Sequence, residues 1–372
     1  MLFVLFGVLV CDHLIGVFPV DLESPAIHLV AERTLILILF TDASRISLPD
    51  LLKDHAIPVR LLAIGLPLTI LLEAVVAAVV FDVLTFWEGA VLGAILAPTD
   101  AALGQAVVSS PRVPQPIRGA LNVESGLNDG IALPVVLLTL SLAAAGDHNE
   151  STSYWLNFFI SQVVLGPVAG VMTGFVGARL VQWGVHTGSM SHSCLQLSAL
   201  AISLLAYAGA ELLGGNGFIA AFCAGLTVGN TAREICDCLY EFAEAEGQLF
   251  TLLTFMIFGA LMVPTAIMHL NLEVVLYSLL SLTVLRMVPA ALSLAGLKLR
   301  APTVTFLAWF GPRGIASIIF GLVVLEEADL AHEEQIFNTM TFTVLLSVFS
   351  HGLTAVPAAI LYGRKAGRSD PQ

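Results

Sequence analysis

Residues 122–130, Asn-Val-Glu-Ser-Gly-Leu-Asn-Asp-Gly, bring Glu124, Ser125, Asn128 and Asp129 into two helical turns of an apolar run that continues through 131–140. On a helix Ser125 and Asp129 stand four apart and share a face, as do Glu124 and Asn128. The first face offers a hydroxyl and a carboxylate, oxygen ligands suited to a hard cation. A second carboxylate, Asp100, follows Pro98-Thr99 in the middle of another apolar run. A proline there removes a backbone donor and frees carbonyls. At membrane depth such backbone is tolerated only where it is buried in protein or lines a cavity. Gly311-Pro312-Arg313-Gly314 interrupts a later run in the same way. Paired broken helices point to an ion site in transporters built from repeats. Two carboxylates in one low-dielectric crevice compete for a proton or a cation. Exchange of one for the other follows from such competition.

The elements that position these groups must be membrane spans. Of the 372 residues 57% are hydrophobic and only 12% charged, against roughly half and a quarter in soluble domains. Only helices or closed barrels satisfy the backbone in a bilayer, and the runs are too uniformly apolar for barrel strands. The fold class expected is an all-α polytopic membrane protein with two related halves, whose segments 4 and 11 break and cross. Twelve apolar segments are read, roughly at 1–20, 26–44, 59–81, 86–108, 117–145, 154–181, 192–213, 216–231, 248–268, 271–296, 303–325 and 335–362. The first is short, and with no basic stretch before it no cleavable signal peptide is expected.

Twelve of the 15 Lys and Arg residues fall in alternate loops and the tail. The opposite loops carry acids, among them Asp82, Glu88, Asp147 and Glu333. The positive-inside rule makes the basic face and the C-terminus cytoplasmic, in a bacterial inner membrane. The net charge of −13 and the lack of a basic stripe argue against nucleic acid. The five cysteines form no metal-ligand or redox spacing and read as apolar fillers. No cofactor is implied, and the chain reads as no enzyme.

Charges within spans cost about 2.5–3.5 kcal/mol each on insertion scales. Glu124 needs a cationic partner, and Arg286 is the best candidate because it too lacks a neighbour in sequence. Asn128 can steady broken backbone without adding charge. For Glu73, flanked by Leu and Ala, a helix–helix hydrogen bond competes with a functional role. Glu211 reads as interfacial, and Asp42 lies near the cytoplasmic end of segment 2.

Ala97-Pro-Thr-Asp-Ala-Ala-Leu-Gly104, the 122–134 stretch and Trp309-Phe-Gly-Pro-Arg-Gly-Ile-Ala-Ser317 together resemble the bacterial monovalent cation:proton antiporter-1 family, NhaP type. The resemblance covers nearly the whole chain. It implies inverted repeats of six helices and a homodimer. Core helices would lie at about 59–145 and 271–362, with dimer or scaffold helices at about 1–44 and 154–268, in one membrane domain over 1–372. Family members have thirteen helices, so the chain is expected to lack the first. Cation and proton would bind at Asp100 and Asp129 with Thr99, Ser125 and Asn128. Asp42 would map onto an acidic residue at the cytoplasmic mouth, and Glu124 with Arg286 onto the family's ion pair. The Asn128-Asp129 pair implies electroneutral exchange of sodium, or of lithium or potassium, for protons. The family's Thr-Asp-Pro stands here as Thr99-Asp100-Ala101, with the proline moved to Pro98.

Two other readings share features. An intramembrane aspartyl protease also pairs two membrane carboxylates, but its Gly-x-Gly-Asp context is absent, and Asp129 stands in Leu-Asn-Asp-Gly. An organic-anion transporter of related fold would want polar or cationic groups, instead of two carboxylates, at the crossing.

Overall fold

In hydrocarbon no water bonds the backbone, so each N–H and C=O must find a partner within the chain. The chain meets this with helix: the computed structural model describes residues 1–11, 25–48, 56–147, 152–232, 247–327 and 330–367, and no strand occurs among them. The helices are α1 (Leu2–Val10), α2 (Pro25–Ser44), α3 (Ala56–Val80), α4 (Phe86–Leu96), α5 (Ala101–Val108), α6 (Gln115–Asp147), α7 (Thr152–His186) and α8 (His192–Leu212). Then follow α9 (Gly217–Thr231), α10 (Gly247–Met268), α11 (Leu272–Leu282), α12 (Val284–Ser293), α13 (Ala301–Trp309), α14 (Ile315–Glu327) and α15 (Glu333–Gly367).

Among the described residues seven helical stretches are long and apolar enough to cross a membrane, and three shorter apolar helices accompany them. Each of the twelve apolar segments coincides with helix; residues 12–20 of the first lie outside the described residues. Segments 4 and 11 are each split, into α4 and α5 and into α13 and α14. Segment 10, expected as one helix, is also split, at Thr283. The Thr283 hydroxyl donates to the Leu279 carbonyl at 2.5 Å, and its N–H turns to Leu280 instead. Such back-bonding by a threonine bends a helix. Short π-turns at 61–65 and 258–262 precede Pro67 and Pro264, where a missing backbone donor disturbs the regular ladder.

The chain divides into two compact units. Unit 2 comprises 23–52 and 149–254. Its helices α7 and α9 approach closely enough that a Cβ on Gly166, Gly170 or Gly174 would strike the carbonyl of Asn216, Ala220 or Ala224. Small residues in this spacing let helix backbones meet in membranes. Unit 1 comprises 1–22, 53–148 and 255–372. The carboxylates of the 122–130 stretch, Asp100 and both broken segments all lie in unit 1.

Candidate functional site

The centre of unit 1 is the crossing of the two broken segments. Residues 97–100 separate α4 from α5, and 310–314 separate α13 from α14. The Asp100 N–H donates to the Pro312 carbonyl at 2.7 Å, tying one break to the other. The Asp100 carboxylate accepts from the Ile315 N–H at 2.8 Å through Oδ2, and from the Leu103 N–H at 3.4 Å through Oδ1. One carboxylate therefore sits at the starts of both α14 and α5. Helix N-termini carry unsatisfied donors and partial positive charge, so an anion is favoured there. Gly314 leaves the room: a Cβ at that position would run into the Asp100 carboxylate.

α6 lies against this crossing and supplies Ser125, Asn128 and Asp129. Asn128 Nδ2 donates to Thr99 Oγ1 at 2.6 Å and to the Thr99 carbonyl at 3.3 Å. The carbonyl partner fixes the amide orientation, which leaves Oδ1 buried and without a hydrogen bond. Thr99 Oγ1 stands 3.2 Å from Ser125 Oγ. Asp129, one turn beyond Ser125, is buried, as are Thr99 and Asp100. Asp42 lies near the end of α2 in unit 2, half-buried.

Two ion pairs flank the crossing. Arg286 on α12 pairs with Glu124 on α6, Nη2 to Oε1. Arg313, inside the second break, pairs with Glu73 on α3 at 3.2 Å. All four side chains are at most 3% exposed. Arg313 Nη1 also donates to the carbonyls of Ala97 and Pro98, at 2.6 and 3.3 Å. These are carbonyls that the first break leaves without helix donors, so an arginine replaces the missing ladder. Glu73 Oε1 further accepts from Ser281 of α11 at 2.9 Å. Glu73 is thus both bonded between helices and ion-paired.

In the sequence Arg313 stands as part of a break, and its pairing with Glu73 emerges only in the fold. The signal was there: two isolated acids, Glu73 and Glu124, and two isolated bases, Arg286 and Arg313, lie within spans. Ser281, Ser347 and His351 gave no such signal, because a buried Ser or His in a span resembles any other. Glu211, read as interfacial, is exposed at the end of α8, and its carboxylate accepts from the Gly217 N–H at 2.8 Å.

Fold and site together define a polytopic all-helical membrane protein whose two broken helices cross at a buried carboxylate. The chain belongs to the family described as sodium/hydrogen exchanger, transmembrane, whose model matches residues 1–361. It is 25% identical over 362 residues to the K(+)/H(+) antiporter NhaP2 of Shewanella sp. (strain ANA-3), covering 97% of this chain and 62% of the relative. It is 26% identical over 364 residues to the K(+)/H(+) antiporter NhaP of Alkalimonas amylolytica, covering 96% and 61%. The chain thus spans under two thirds of the length of these relatives. Its fold is similar to that of the sodium proton antiporter MjNhaP1 from Methanocaldococcus jannaschii, with a TM-score of 0.81 at 22% identity, over 97% of this chain and 92% of that one.

Proposed function

We propose that the protein is a secondary antiporter that exchanges a monovalent cation for protons by alternating access. The observation that carries this reading is the crossing itself. Asp100 at the starts of two half-helices, the Thr99 and Ser125 hydroxyls, the open Asn128 Oδ1 and the adjacent Asp129 make an oxygen-rich lining at membrane depth. Broken helices in transporters present such groups to coupling ions. Asp129 and Asp100 hold the cation in one state, and in the other a single proton on Asp129 replaces it. Glu124 and Arg286 neutralise each other and keep the surroundings fixed.

The names of the relatives support a cation and proton as the cargo, and they divide between potassium and sodium. Sodium is the first expectation from the motifs, with lithium and potassium as the alternatives. The loop charges support a cytoplasmic C-terminus in an inner membrane, and the family resemblance supports a homodimer in lipid. The test is dequenching of a pH-sensitive dye in everted vesicles after sodium, potassium or lithium is added in turn. Dequenching by one or more cations is the expected result. A response to none of the three refutes the reading, and the ranking of the responses names the cation.

A further inference from the structure

Ser347, His351 and Thr354 stand four and three residues apart on α15 and form one stripe along that helix. Ser347 touches the break between α13 and α14, and His351 and Thr354 touch Trp309, the residue just before it. The Arg313 N–H donates to Ser347 Oγ at 2.7 Å. Ser347 Oγ stands 3.1 Å from His351 Nδ1. His351 Nε2 stands 3.0 Å from the Trp309 carbonyl. Thr354 Oγ1 accepts from Trp309 Nε1 at 3.1 Å, and the Trp309 and His351 rings lie 5.0 Å apart.

The partners fix the roles. Nδ1 also stands 3.1 Å from the Ser347 carbonyl, but there the Ser347 hydroxyl can donate to the ring. At Nε2 the partner is the Trp309 carbonyl, which only accepts, so Nε2 carries the proton and donates. Nδ1 of the neutral ring then accepts the Ser347 hydroxyl proton, and Ser347 Oγ accepts from Arg313. The result is a continuous chain from the last residue of α13, through α15, to the residue that follows Pro312. Pro312 and Ile315, in and just after the same break, hold Asp100. Ser347 and His351 are both buried.

We propose that His351 is a positioning residue: with Ser347 it clamps the two sides of the second break and thereby sets the geometry of Asp100 and its affinity for the cation. The clamp uses the neutral ring and touches neither cation nor proton. This inference rests on the antiport reading for its effect on affinity. The clamp itself is a property of the fold.

The test uses the full chain reconstituted in proteoliposomes. His351→Leu removes both ring bonds. The loss of about two hydrogen bonds' net worth predicts a rise in apparent KM for the cation of about five- to a hundredfold, with Vmax kept. His351→Gln should restore the wild-type KM, since its amide can donate to Trp309 and accept from Ser347. Deuterium exchange of a peptide covering 310–316 should quicken in the Leu variant and not in the Gln variant. If the Leu variant does not fold, Ser347→Ala reads the same two quantities with a smaller lesion. A fall in Vmax at unchanged KM means a merely structural role and overturns the proposal. So does unchanged protection of 310–316. If the wild-type protein exchanges no cation, the antiport reading fails, and the deuterium measurement still decides whether the clamp exists.

Discussion

Arg313 and Glu73 meet at 3.2 Å with no exposure to solvent, 240 residues apart in the chain, beside the crossing of the two broken helices. The same guanidinium holds the Ala97 carbonyl. A charge that would be costly alone is therefore neutralised, and the buried backbone of the other break is its second ligand. Through its bonds to the Ala97 and Pro98 carbonyls the Arg313 side chain joins the two breaks, as Asp100 and Pro312 do through the backbone.

Breaking this pair should be severe. Arg313→Leu leaves Glu73 buried and unpaired, at a cost of about 3–5 kcal/mol. The double variant Glu73→Leu/Arg313→Leu removes both charges, and its loss should be smaller than the sum of the two single losses. Thermal unfolding of the detergent-solubilised protein measures this. Strict additivity would show that the contact carries no coupling.

Glu124 and Arg286 are expected to act on stability more than on transport. Arg286→Ala should lower the melting temperature strongly while leaving the apparent cation affinity within about twofold, since a buried charge is left without its partner. A stable variant with a clearly shifted affinity would place Arg286 among the groups that sense the cation.

Asp129 and Asp100 should separate in the same pair of assays. Asp129→Asn is expected to abolish exchange and leave the melting temperature close to wild type. Asp100→Ala should abolish exchange and also cost about 0.5–2 kcal/mol, because its carboxylate accepts at the start of a half-helix. Wild-type exchange rates in Asp129→Asn would remove that residue from the site.

Gly314→Ala adds a methyl group where the Asp100 carboxylate stands. Exchange should fall at least about tenfold, the equivalent of about 1.4 kcal/mol at the site. Gly104 on α5 has no neighbour within 4 Å of an added Cβ, so Gly104→Ala is the matched control and should transport normally. Equal activity in the two variants would mean that Asp100 does not need its present position.

On the proposed reading one cation is displaced by one proton at Asp129, with neutral Asn128 beside it adding no second proton, and no net charge moves. Sodium-driven proton flux in proteoliposomes should be the same with and without a potential set by potassium and valinomycin. If a potential drives exchange when both ion gradients are zero, a second proton is carried, and Asp100 or Glu124 must carry it.

Hydropathy and proline placement are local properties, and they sufficed for the spans and for the breaks at 97–100 and 311–314. The candidate ligands were legible for the same reason: Ser125 and Asp129 share a helix face whatever the helix packs against. Partners across space were another matter. Four isolated charges allow two pairings, and only the folded chain brings Arg313 to Glu73 while Arg286 meets Glu124. Thr283 bends its helix through a single side-chain bond that hydropathy does not register. His351 reads in sequence as one more buried histidine. Its roles as donor and acceptor exist only because α15 lies against the carbonyl of Trp309 and the amide of Arg313. Hydrogen bonds of this kind depend on distances of a few ångströms between residues far apart in the chain, and tertiary packing alone sets those distances.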